Sequence, residues 1–77
     1  SPDSAASLEI FRALELENMA QQIGMVEIAE ELSKALAAID HIDRYKRPED
    51  FDYALSVLRS VADDAAVLLP VRAKKAA

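Results

Sequence analysis

The apolar residues of segment 25–42 fall in a single repeating row: Met25, Ile28, Leu32, Ala35, Ile39 and Ile42 stand three, four, three, four and three residues apart. Such spacing returns to the same side of an α-helix at every turn and predicts a helix with one buried stripe. Ala29 and Leu36 widen the stripe, while Glu27, Glu30, Glu31, Lys34 and His41 fall opposite and should face water. Phe51, Ala54, Leu58, Val61, Ala65 and Leu68 repeat the pattern in the segment 51–69, with Leu55, Ala62 and Leu69 beside the row. Asp52, Ser56, Arg59, Ser60 and Asp63 take the far side, so this segment too has one core face.

The first part of the chain is less regular. No breaker interrupts residues 4–23, yet Ile10, Phe11 and Leu14 point one way, and Leu16, Met19, Ala20 and Ile23 point nearly the other at about 100° per residue. Either a kinked or well-buried helix uses both stripes in one core, or one stripe joins the core and the other meets a second chain. Gly24, the only glycine, fits the position just past a helix end, where positive φ is required. Arg44, Lys46 and Arg47 suit the end of the second helix, and Pro48, Glu49 and Asp50 suit the start of a third. Pro70 is the expected stop, because it lacks an N–H and clashes with the preceding turn.

These signals predict helices over about 4–23, 25–46 and 48–69 in a single domain, 1–70, followed by a basic flexible tail or linker stub at 71–77. Short connections make neighbouring helices antiparallel. The expected fold is therefore all-α: an antiparallel three-helix bundle, or a helical hairpin plus an N-terminal helix, dimerising into a larger bundle. The second and third helices each supply one stripe, so the surplus stripe of the first, Leu16, Met19, Ala20 and Ile23, is the expected protein interface.

Composition narrows the functional classes. A chain of 77 residues buries only about 60% of its unfolded surface and tends to need extra support. With no Cys and one His, neither a disulfide nor a zinc site can supply it, which leaves self-association or a larger parent protein. No apolar run approaches the roughly 20 residues that span a bilayer, so no membrane partner is expected and the chain reads as cytoplasmic. Charge is uneven: residues 1–43 carry a net −7 and residues 44–77 a net +2. The only basic clusters are Arg44, Lys46, Arg47 and the tail residues Arg72, Lys74, Lys75; nucleic acid, which selects a basic stripe, is not an expected partner.

Two local patterns invite comparison with known devices. Ala20, Ile23 and Gly24 resemble the turn of a helix-turn-helix, but Glu30 and Ser33 stand where the next helix needs apolar contacts, and Glu27, Glu30 and Glu31 would repel phosphate. Lys34, Ala38, His41 and Tyr45 form a line at spacings four, three and four, with Arg44 three residues past the histidine. An exposed histidine beside a cation is what a phospho-accepting site requires. The arrangement loosely resembles histidine-phosphotransfer domains, which place a lysine three residues after the histidine and then a glycine; here those residues are Arg44 and Tyr45. The resemblance implies, as an alternative function, a relay through His41 with Arg44 and Lys34 offsetting the phosphoryl charge. Carboxylates are spread along solvated faces, and there is no phosphate-cradling loop. The leading expectation is a small helical protein–protein interaction module, for dimerisation, docking or regulation, with no catalysis, metal or cofactor.

Overall fold

The computed structural model describes the backbone of residues 2–76 and the side chains of residues 4–70. Three helices, α1 (Pro2–Gln22), α2 (Val26–Asp40) and α3 (Pro48–Ala76), pack together with contacts between every pair. There is no strand among the described residues.

Hydrogen bonds explain the first connection. Gly24 N–H donates to the carbonyl of Gln21 at 3.2 Å and Met25 N–H to that of Ala20 at 2.8 Å, the two reversed bonds of a Schellman ending. Gly24 adopts φ 76°, as that ending demands. A Cβ there would meet no atom within 4 Å, so glycine is required by backbone strain and not by crowding.

The second helix stops six residues earlier than its pattern predicts, at Asp40 instead of 46. Asp43 is the cause: its Oδ1 accepts from the N–H of Tyr45 at 2.9 Å and of Lys46 at 3.2 Å. A short carboxylate side chain that binds its own following backbone competes with helix continuation. Arg47 N–H then donates to the Asp43 carbonyl at 2.8 Å, and Pro48 opens α3 with Glu49 and Asp50 in the first turn, where acids oppose the helix dipole.

Pro70 does not end the third helix; α3 runs through it to Ala76. Proline removes one N–H from the ladder, and here it sits on the exposed side next to fully buried Leu69, so solvent can serve the freed carbonyl while the core anchors the turn. The backbone expected to be a tail is thus helix as far as residue 76. Ser1 and the side chains of Arg72, Lys74 and Lys75 lie outside the described residues.

Alanine dominates the core. α1 contributes Ala6, Ala13 and Ala20, spaced by sevens; α2 contributes Ala29, Leu32, Ala35 and Ile39; α3 contributes Phe51, Ala54, Leu58, Ala62, Ala65 and Leu69. Residues seven apart return to nearly the same side of a helix, and alanines there let helix axes approach closely. In α3 the buried row passes through Ala62 and Leu69, whereas Leu68, expected in the core, is exposed.

The largest correction concerns α1. Phe11 and Leu14, expected to face the core, are exposed. Ala20 of the expected surplus stripe is fully buried, and Leu16 and Ile23 pack against the core. The face of α1 that packs is the alanine row, bordered by Ile10 from one stripe and by Leu16 and Ile23 from the other.

Candidate interaction surfaces

α1 is oriented by two ion pairs to α3. Arg12 Nη1 donates to Asp63 Oδ1 at 2.8 Å, and Arg59 Nε donates to Glu9 Oε1 at 2.6 Å. Moving three residues along α1 corresponds to moving four along α3 in the same direction, so α1 and α3 run parallel and α2 runs against both. The Glu9 bond, and after it the Glu9 charge, raises the Arg59 guanidinium above its ordinary value, with burial pulling the other way and Asp63 adding to the rise. The second carboxylate oxygen of Glu9, Oε2, is buried without a hydrogen-bond partner.

With the alanine row turned inward, the opposite side of α1 is an apolar face open to solvent. Leu8 is 70% exposed, Phe11 61% and Leu14 50%. Leu8 and Phe11 line a shallow depression with Ser4 and Ser7. Met19, the one residue of the expected interface that remains largely outside, lies one to two turns further along.

A second apolar surface runs along α2 and α3 on the side away from α1. It holds two separate depressions along one seam between the helices. Met25, Val26, Glu27, Ile28 and Glu31 face Asp64 and Leu68 around about 630 Å³ at one end. Ala35, Ala38 and Ile42 face Asp50, Tyr53, Ala54 and Val57, with Arg47, around about 460 Å³ at the other. Gly24 of the first connection also lines the Met25 end, and no described side chain of α1 lines either depression. The groove exists because Ala35, Ala38 and Ala54 are too small to fill the space between the two helices.

The residues expected to form a relay are not arranged along one helix. His41 stands at the C-terminal cap of α2 and is exposed. Arg44 and Tyr45 lie beyond the end of the helix, in the Asp43 turn, and the Arg44 guanidinium stacks 4.9 Å from the centre of the Phe51 ring. Lys34 alone of the four remains on α2 with Ala38. Early termination at Asp40 breaks the line that a helix to 46 would have kept. Among the described residues no three His, Cys, Asp or Glu side chains are grouped to hold a metal ion. No helix among them is long and apolar enough to cross a membrane.

No protein-family model, curated protein or solved structure matches this chain. The functional reading therefore rests on its own surfaces. Sequence reasoning missed both of them for related reasons. The α1 face was masked by counting Phe11 and Leu14 as core, and the groove was masked by counting Leu68, Ala35 and Ala54 simply as stripe. A signal was present in the sevenfold alanine spacing 6, 13, 20.

Proposed function

We propose that this chain is a small helical protein-interaction module, without catalysis of its own, that pairs with a second copy through the outer face of α1. The observation that carries the reading is the solvent exposure of Leu8, Phe11 and Leu14 on one helix face. Contiguous apolar side chains of this kind usually mark an interface.

The pattern of that face favours a two-fold partner. Leu8 and Leu14 flank Phe11 at equal distance in sequence. An antiparallel copy of α1 crossing at Phe11 sets Phe11 against Phe11 and each Leu8 against the other copy's Leu14, which is the self-complementarity an isologous contact requires. Ser7 then opposes Glu15, and Ser4 opposes Asn18, so the flanks meet as hydroxyls against a carboxylate and an amide, with no like charges apposed. Glu15 is the only charged residue in this set. This contact lies on the other side of α1 from the sequence-expected interface of Leu16, Met19, Ala20 and Ile23.

Sedimentation equilibrium over a wide concentration range tests the reading. The wild-type chain is expected to approach twice its 8.4 kDa mass. Phe11→Glu should remain helical and melt cooperatively, since the side chain it replaces packs little in the monomer, but should stay at the monomer mass. A wild-type protein that remains monomeric at every concentration, or a Phe11→Glu protein that still doubles, defeats the proposal.

A further inference from the structure

We propose that the groove between α2 and α3 is a docking site for an amphipathic helix of another protein, one that carries Lys or Arg beside its apolar stripe. This rests on reading the chain as an interaction module, but uses a surface separate from the α1 face. Along α2 the groove floor runs Ile28, Ala35, Ala38, Ile42, and along α3 it is closed by Val57 and Leu68. The outer ends of the two depressions, at Met25 and Ile42, are roughly 25 Å apart at about 1.5 Å per residue, so a helix of four to five turns lying along the seam would reach both. Ala35, Ala38 and Ala54 along the seam allow a fourth helix axis to approach closely. A peptide helix binding in such a channel uses anchors three and four residues apart.

Charge selects the occupant. At the Met25 end the lining includes Glu27, Glu31 and Asp64, with no cation among its described residues. At the other end the one cation, Arg47, donates to Asp50 at 2.7 Å and is thereby largely offset. A helix with Lys or Arg flanking its stripe meets the three carboxylates favourably, whereas one with acids there brings like charges together as it is desolvated. A second copy of this chain is a poor occupant by the same measure: α1, the element with an apolar face to offer, carries Glu9, Glu15 and Glu17 against Arg12 alone in its described side chains, and that arginine is held by Asp63.

The test uses the full chain and two fluorescein-labelled model peptides of about 18 residues, with the same leucines at alternating three- and four-residue spacings and either Lys or Glu flanking them. Fluorescence anisotropy should show the Lys peptide binding at least about tenfold more tightly than the Glu peptide, with the difference shrinking as salt is raised. Glu31→Lys with Asp64→Lys should reverse the preference. Glu30→Lys with Asp52→Lys, the same charge change on exposed positions outside the groove lining, should retain it, and so should Phe11→Glu. Equal binding of the two peptides, or a preference that Glu30→Lys with Asp52→Lys reverses equally, overturns the proposal by making the attraction a matter of net charge. Binding lost in Phe11→Glu would place the peptide on α1 and also overturn it. If Ala38→Glu, and not Phe11→Glu, abolishes doubling of the wild-type mass, the groove holds a second copy and the proposal fails. Failure of self-association alone leaves these peptide results unaffected, so the two readings are judged separately.

Discussion

Leu58→Ala is expected to destabilise the bundle by about 2–5 kcal/mol, the range for deleting a large side chain from a packed interior. Leu58 is fully buried near the middle of the described part of α3 and is one of three large side chains, with Leu32 and Leu69, that have essentially no exposed surface. Much of the remaining core is alanine, and alanines have no side-chain freedom with which to fill a cavity. A bundle of this size has a total stability of only about 5–10 kcal/mol, so the loss would leave a substantial unfolded fraction at moderate temperature. Urea unfolding followed by circular dichroism gives the result as a lower midpoint with an unchanged slope. Val57→Ala, at the adjacent half-exposed position on the groove side, should shift the midpoint much less. Equal shifts for the two would mean that α3 is rotated from the face described.

Ala13→Leu should also destabilise, by about 1–3 kcal/mol or more, although it adds hydrophobic surface. Ala13 is fully buried at the centre of the Ala6, Ala13, Ala20 row. Three added carbons would have to displace α1 from α2 and α3, lengthening the Glu9–Arg59 and Arg12–Asp63 ion pairs that flank this turn. The substitution separates two accounts of α1. If its inward face were chosen for hydrophobicity, leucine would strengthen the bundle; if chosen for close approach, leucine weakens it. A melting temperature that rises in Ala13→Leu would refute the close-packed alanine face. Leu14→Ala, one residue on and exposed, serves as the comparison and is expected to alter melting little.

α2 was the most legible part of the sequence, because the row drawn by its spacing is the row that packs: Leu32, Ala35 and Ile39 are buried, and Met25, Ile28 and Ile42 pack against the core. Its C-terminus was not legible, since a local bond from Asp43 decided it and the basic residues 44–47 mimic a helix ending further on. In α3 the row was correct at Phe51, Ala54, Leu58 and Ala65, but the fully buried positions are Ala62 and Leu69 where the row has Val61 and Leu68; a strict three-four repeat returns every 3.5 residues while an α-helix turns every 3.6. In α1 hydrophobicity pointed away from the answer. Alanine counts for little as a hydrophobe, so Ala6, Ala13 and Ala20 were outweighed by Leu8, Phe11 and Leu14, whose size excludes them from the close contact. The candidate surfaces followed from that same reversal and needed coordinates to be seen.

The parallel alignment of α1 and α3 against α2 has a consequence for the polarity of any fourth helix. Peptide dipoles add along each helix to about half a charge at either end, so three helices running up, down and up leave one dipole uncompensated. An occupant of the α2–α3 groove running with α2 balances the set two against two; one running with α3 leaves three against one. The difference is small, about 0.3–1 kcal/mol at a solvated surface, but it has a sign. A nitroxide at the amino end of the Lys peptide reads it, by broadening either the Met25 or the Ile42 resonances, and broadening at Ile42 would show the opposite direction. Running with α2, the peptide's amino end lies near Met25, beside the carboxylates of Glu27, Glu31 and Asp64. The axial imbalance of an odd-numbered bundle and the acidic lining of one end of its groove thus favour the same direction of entry.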